Sequence, residues 1–111
     1  MSKTADAVML INRLIQRTSE GSLDWTRGLA SNEFQTQSGG YRFVVGKDIF
    51  SSGFKLQVYN AQAQMVEEFR SDQNPFEQSE INMMPIKPRL QALWATVSGS
   101  SDELKKILKS I

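Results

Sequence analysis

The spacing of apolar residues changes once along this chain, at Gly21, and this change constrains the fold more than any other feature. Before Gly21, apolar residues recur every three or four positions, as on one face of an α-helix. After Gly21 they alternate with polar residues, as in β-strands with one buried face. We therefore expect an α+β fold. The apolar positions of the helix are Ala7, Val8, Leu10, Ile11, Leu14 and Ile15.

The first helix is predicted over residues 4–19, with Gly21 placed to end it in a left-handed cap. Ser38–Gly40 has the composition of a tight turn between two strands. Because the other strands are also joined by short turn-like segments, we expect a five-stranded antiparallel meander. The predicted strands cover about 22–26, 33–37, 41–46, 54–60 and 64–70.

The C-terminal part divides into an irregular arm and two further helices. Residues 71–88 contain all three prolines and little periodicity, which predicts the arm. Helices are expected at 89–98, with Pro88 in the first turn and Gly99 at the end, and at 102–110. A sheet with one apolar face needs a cover. We therefore expect a single two-layer domain over 1–111, with a polar, open second sheet face.

The chain lacks cysteine and histidine, which excludes several kinds of chemistry. It can form no disulfide, no Cys/His zinc site and no His-based catalytic triad. Among its carboxylates, Glu67 and Glu68 are neighbours on a predicted strand and so face opposite ways. We expect no enzyme, no cofactor and no metal site. The net charge of +1 gives no global attraction to nucleic acid, so a nucleic-acid partner is not expected either.

The sequence also predicts a location. It contains no apolar run long enough to span a membrane. The apolar stretch near the N-terminus is interrupted by Asn12 and Arg13, which argues against a signal peptide. We expect a cytoplasmic protein without a membrane segment.

Four segments together resemble a widespread, largely uncharacterised set of small bacterial and mobile-element proteins. These are "TSEGSLDW", "FQTQSGGYRF", "LQVYNAQAQMVEEF" and the tail "LQALW" with "GSSDELKKILKSI". Members share a T-x-x-G-x-[LIV]-x-W motif and a terminal D-x-x-L-x-x-[IL]-L helix. This chain has Ala63 where the set usually has a turn glycine, and residues 71–88 have no counterpart. The resemblance implies an intracellular α+β protein with a link to phage or mobile-element defence or anti-defence. It does not indicate any particular activity.

Two tryptophans are candidates either for the core or for a ligand platform. Trp25 shares its predicted strand face with Leu23, and Trp94 lies in an apolar helical stripe. A buried indole usually finds an acceptor for its N–H. We expect both tryptophans to belong to the core, with the indole N–H of Trp25 bonded to a carbonyl.

Cations and aromatics alternate on the predicted polar face of the sheet. Lys55 and Tyr59 share one strand face, and Tyr41 and Arg42 open the preceding strand. Such a surface can pair a phosphate and stack a base. The competing interpretation is an ordinary solvated face with cross-strand pairs. The ligand-binding hypothesis rests on Tyr41, Arg42, Lys55 and Tyr59.

The arm carries apolar residues without periodicity. It either packs over the sheet edge or docks a partner, since methionine adapts to irregular contacts and small domains use apolar loops as interfaces. The docking hypothesis rests on Phe76, Ile81, Met83, Met84 and Ile86.

These observations favour a small non-catalytic binding or regulatory protein that acts through a protein partner or as a homo-oligomer. The alternative is a small-ligand binder, such as a sponge for a signalling cyclic nucleotide, which would use the cations and aromatics of the sheet face.

Overall fold

A computed structural model describes residues 3–28, 32–47, 53–71, 84–100, 107 and 110–111. Its sheet is antiparallel, and neighbouring strands follow one another in chain order. The prediction of an α+β fold with an N-terminal helix, a five-stranded meander and a C-terminal helix is confirmed. The elements are α1 Lys3–Ser19, β1 Thr26–Arg27, β2 Glu33–Ser38, β3 Tyr41–Lys47, β4 Phe54–Tyr59, β5 Met65–Arg70 and α2 Ile86–Ser100.

Helix α1 ends in the predicted left-handed cap. Gly21 has a φ of 78°. The Ser22 N–H donates to the Arg17 carbonyl at 2.9 Å, and the Gly21 N–H donates to the Thr18 carbonyl at 3.1 Å. This pair of bonds is the Schellman motif, which satisfies carbonyls that the last helical turn leaves without partners.

Trp25 closes the space at the end of α1. It is 2% exposed and belongs to the core cluster. Its indole N–H donates to the hydroxyl of Thr18 at 2.9 Å, and that hydroxyl donates to the Leu14 carbonyl at 2.6 Å. The indole therefore reaches a carbonyl only through Thr18. Trp25 is a core residue, as expected, and its partner is a buried hydroxyl.

Strand β1 is shorter than the predicted 22–26 and begins at Thr26. The two residues before it form other hydrogen bonds. The Trp25 indole is bonded to α1, and the Asp24 carbonyl accepts a hydrogen bond from the Thr36 hydroxyl at 2.8 Å. The first strand therefore pairs with β2 through two residues only.

The β2–β3 hairpin turns through Gly39 and Gly40, with φ of 61° and 82°. Two successive positive φ values define the type I′ turn, whose twist matches that of the flanking strands. The turn fixes the register, in which Ser38 pairs with Tyr41 and Thr36 with Phe43. The predicted hairpin is confirmed.

The core lies between the sheet and α2. Helix α2 contacts β3 and β4, whereas α1 makes its main contact with α2. Trp94 is half-buried against this core, with its ring 5.4 Å from that of Phe34 and 6.4 Å from that of Phe54. The residues that the sheet contributes to this core cluster are Phe34, Phe43, Val45, Leu56, Val58 and Phe69, and those that α2 contributes are Ile86, Leu90, Leu93 and Val97.

Helix α2 differs from the prediction at both ends. It begins at Ile86, not at residue 89, and Gly99 does not end it, since it continues to Ser100. Pro88 stands in the first turn, where a proline is tolerated because its missing N–H would have no helical partner. Two helices lie within the described residues. The predicted third helix, 102–110, falls largely outside them.

Candidate functional site

The face of the sheet that points away from the core carries a connected layer of polar side chains. Strand register brings them into rows, because residues directly opposite one another share a face. The middle row contains Gln35, Val44, Gln57 and Glu68. The row on one side of it contains Arg42 and Tyr59, and the row on the other side contains Gly46 and Lys55. Most of these side chains are half-buried. They pack against one another, and the face is less open than its composition suggests.

Arg42 and Tyr59 form a stacked pair on this face. They lie opposite each other on β3 and β4, and the guanidinium carbon stands 4.6 Å from the centre of the Tyr59 ring. A cation over an aromatic face is attracted by the ring's negative potential. The Tyr59 hydroxyl donates to Gln57 Oε1 at 3.2 Å, and Gln57 Nε2 donates to Glu68 Oε2 at 2.7 Å. The structure therefore brings these two predicted ligand residues together.

Lys55 does not join this pair. Its ammonium forms an ion pair with Glu33 at 2.5 Å, across the intervening strand. A Cβ added at Gly46 would stand 2.9 Å from Lys55 Cε and 3.1 Å from Glu33 Cγ. Because Gly46 has no side chain, Lys55 and Glu33 have room to meet above β3. The expectation that Lys55 shares a ligand site with Tyr59 is corrected, because Glu33 engages its charge.

Tyr41 occupies the start of β3, and its side chain alternates to the opposite side from Arg42. It pairs with Ser38 next to the turn and is 48% exposed. Tyr41 and Arg42 nevertheless both line a cleft of about 510 Å³ between the β2–β3 and β4–β5 turns. The described residues that line it are Gln37, Ser38, Gly39, Gly40, Tyr41, Arg42, Asn60, Ala61 and Ala63.

The β4–β5 turn forms one wall of the cleft and is held by Asn60. Its Oδ1 accepts hydrogen bonds from the backbone N–H groups of Gln62 and Gln64, both at 3.0 Å. Its backbone carbonyl accepts the Ala63 N–H at 3.0 Å. Asparagine stabilises turns in this way because its short amide mimics a backbone acceptor. Ala63 is held at φ 62°, in the region where glycine is the usual residue.

Strand β5 ends the sheet on one side. Within the described residues no further strand pairs with its outer edge. Met65 is 51% exposed and Val66 45% exposed, next to an irregularity in the pairing with β4 at Val58 and Tyr59. Neither residue is among the candidates that the sequence predicts. The signal for them was the adjacent apolar pair at the start of a predicted strand.

The predicted docking arm is only partly described. Phe76, Ile81 and Met83 lie outside the described residues. Met84 is 74% exposed, whereas Ile86 is 0% exposed in the first turn of α2. Ile86 is therefore a core residue and not an exposed docking anchor, because its side chain continues the buried stripe of α2.

Two general features of the described part bear on function. None of its helices has the length and apolarity needed to cross a membrane. No group of three or more acidic side chains in these ranges is arranged to hold a metal ion.

Comparison with protein-family models, with curated proteins and with solved structures finds no match for the chain. The resemblance to mobile-element proteins thus stays a prediction, and function has to follow from the geometry.

Proposed function

We propose that this chain is a non-catalytic binding protein that acts through protein contact, and that it associates with a second copy of itself along the outer edge of β5. The observation that supports the proposal most directly is the exposure of Met65 and Val66 at the last strand of the sheet. Among the described residues, no other strand pairs with this edge of the sheet.

A free strand edge favours association because it offers backbone N–H and C=O groups to another strand. Side-chain exposure adds to this at the start of β5, next to the irregularity in its pairing with β4. Met65 lies opposite Tyr59, and Val66 is the extra residue of the pairing irregularity before Glu67. A pairing chain would cover both of these exposed apolar side chains. Two copies related by a two-fold axis would use the same surface twice.

The glutamates of β5 select the register of this contact. A two-fold axis at Val66 places Val66 opposite its own copy and Met65 opposite Glu67 of the second copy. An axis between Glu67 and Glu68 would instead set like charges directly opposite each other, which destabilises a strand pair. The proposed dimer therefore pairs the N-terminal half of β5. Such a short contact buries less than a permanent interface needs, so we expect reversible association.

The experiment is a mass measurement by light scattering and sedimentation over a wide range of protein concentration. We expect the mean mass to rise from one chain toward two as the concentration increases. Val66→Lys should keep the protein monomeric, since a lysine on a free edge opposes pairing. Gln62→Lys adds the same charge in the exposed turn and should associate like the original chain.

A single-chain mass at every concentration would overturn the proposal. So would equal association of the Val66→Lys and Gln62→Lys proteins, because the contact would then lie elsewhere. A folded-state spectrum of each variant confirms that the comparison is between folded chains.

The resemblance to mobile-element proteins extends this proposal to a regulatory role in defence or anti-defence inside the bacterial cytoplasm. Expression in a host that carries a defence system, followed by phage plaque counts, tests that role. We expect the wild-type chain, and not Val66→Lys, to change the count.

A second candidate function is the binding of a small nucleotide-like ligand. The stacked Arg42 at the cleft between the two turns favours it.

A further inference from the structure

We infer that the cleft between the β2–β3 and β4–β5 turns binds a small organic anion that carries a flat ring, with Arg42 holding the acidic group and Tyr41 the ring. This inference rests on the second candidate function and does not depend on the β5 contact.

The charge of the cleft points to an anion. Arg42 is the only charged residue among the described residues that line it. Among the described residues, no carboxylate pairs with its guanidinium. An arginine side chain that faces a cleft without a carboxylate has its hydrogen-bond donors available to a carboxylate or phosphate of a ligand, which it can bind through two parallel bonds.

The orientation of Arg42 is set before any ligand arrives. Its guanidinium lies over Tyr59, and the Tyr59 hydroxyl is bonded to Gln57. Gln57 is in turn bonded to Glu68 on β5. A side chain held in this way loses less conformational freedom on binding than a free arginine would, which favours affinity.

The walls of the cleft restrict what enters. Gly39 and Gly40 have open space where a Cβ would stand, so a ligand can approach the backbone of this turn. The Asn60 carboxamide oxygen is occupied by backbone groups of its own turn. Among the residues that line the cleft, Arg42 can bind the acidic group of a ligand, and the backbone of the two glycines and the ring of Tyr41 are exposed beside it.

The test is a titration of isotopically labelled protein, followed through the amide resonances of Gly39 and Gly40. Four probes separate the two halves of the ligand: AMP carries ring and anion, adenosine the ring alone, ribose 5-phosphate and inorganic phosphate the anion alone. We expect saturable shifts with AMP. Each of the other probes should bind about tenfold or more weakly, as loss of one of two contacts implies.

Variants assign the binding to Arg42. Arg42→Gln should weaken AMP binding about tenfold or more, because a charge-assisted hydrogen bond is lost. Arg13→Gln removes the same charge from the exposed side of α1 and should bind AMP like the original chain. Tyr59→Phe keeps the stacked ring and should retain binding. The spectra themselves show whether each variant is folded.

The inference is overturned if the amide resonances of Gly39 and Gly40 do not shift at about 10 mM AMP, a concentration that would fill even a weak site. It is also overturned if the Arg42→Gln and Arg13→Gln proteins bind AMP equally well, or if inorganic phosphate binds as tightly as AMP. None of these results bears on the mass measurement, so failure of the cleft and failure of the β5 contact are distinguishable.

Discussion

Ala63→Gly should stabilise the domain, because Ala63 occupies a backbone conformation that suits glycine. Its φ of 62° lies in the left-handed region, which costs an L-residue about 1–2 kcal/mol. Glycine avoids that cost but makes the unfolded chain more flexible, which costs about 0.4–1 kcal/mol. Ala63 is exposed, so little packing is lost with its methyl group. The net effect is a gain of about 0.5–1 kcal/mol in the free energy of unfolding.

Urea denaturation measures this difference directly, with thermal unfolding as a second readout. The denaturation midpoint should rise while the slope stays the same, since both chains expose similar surface on unfolding. The expected rise in melting temperature is about 4 °C for a domain of this size. The Ala63 N–H bond to the Asn60 carbonyl is kept by glycine, so the turn itself should not change.

Ala61→Gly is the matched control. Ala61 is exposed in the same turn, but its φ is not positive. Glycine there brings only greater freedom of the unfolded chain and should lower stability by about 0.4–1 kcal/mol. If both variants lower stability by the same amount, the reasoning from the backbone conformation of Ala63 is refuted.

Thr18→Val should lower the free energy of unfolding by about 1–3 kcal/mol, because the indole N–H of Trp25 would be left buried without an acceptor. Ser19→Val, on the exposed side of the same turn, is the control for the loss of helix propensity. If urea denaturation shows the same loss of stability for both variants, the hydrogen bond from Trp25 to Thr18 does not stabilise the fold. Ile86→Ala should cost about 2–5 kcal/mol, since it empties part of a fully buried site. Met84→Ala, at an exposed position, should cost about 0.5 kcal/mol or less, and similar melting curves for these two variants would show that Ile86 is not a core residue.

Local patterns were sufficient to predict much of the fold. The apolar stripe of α1 and the glycine after it predicted a helix and its left-handed cap, and the pair Gly39 and Gly40 predicted a hairpin. These features depend on residues close together in the chain, so composition and spacing carry the information. The start of α2 was predicted three residues too late. Pro88 was correctly expected in the first helical turn, but Ile86 and Lys87 were assigned to the irregular arm, and the helix begins at Ile86.

The candidate site was predicted less well than the fold. Arg42 and Tyr59 were selected as chemistry-bearing residues, and the register places them in contact. Lys55 was selected for the same reasons and belongs to an ion pair with Glu33. The two outcomes differ because strand register decides which side chain each cation reaches. Tyr59 lies directly opposite Arg42, whereas Glu33 reaches Lys55 from two strands away, across Gly46.

By itself, the sequence determined the order of helix and strands, the buried position of Trp25 and the absence of cysteine and histidine chemistry, because each follows from residue types or from spacing along the chain. Only the tertiary structure decided that Glu33 reaches Lys55 across Gly46, that Arg42 meets a cleft between two turns, and that β5 ends the described sheet with Met65 and Val66 exposed. Each of these depends on register and strand order, which join residues far apart in the chain and are fixed only when the whole sheet packs on its core.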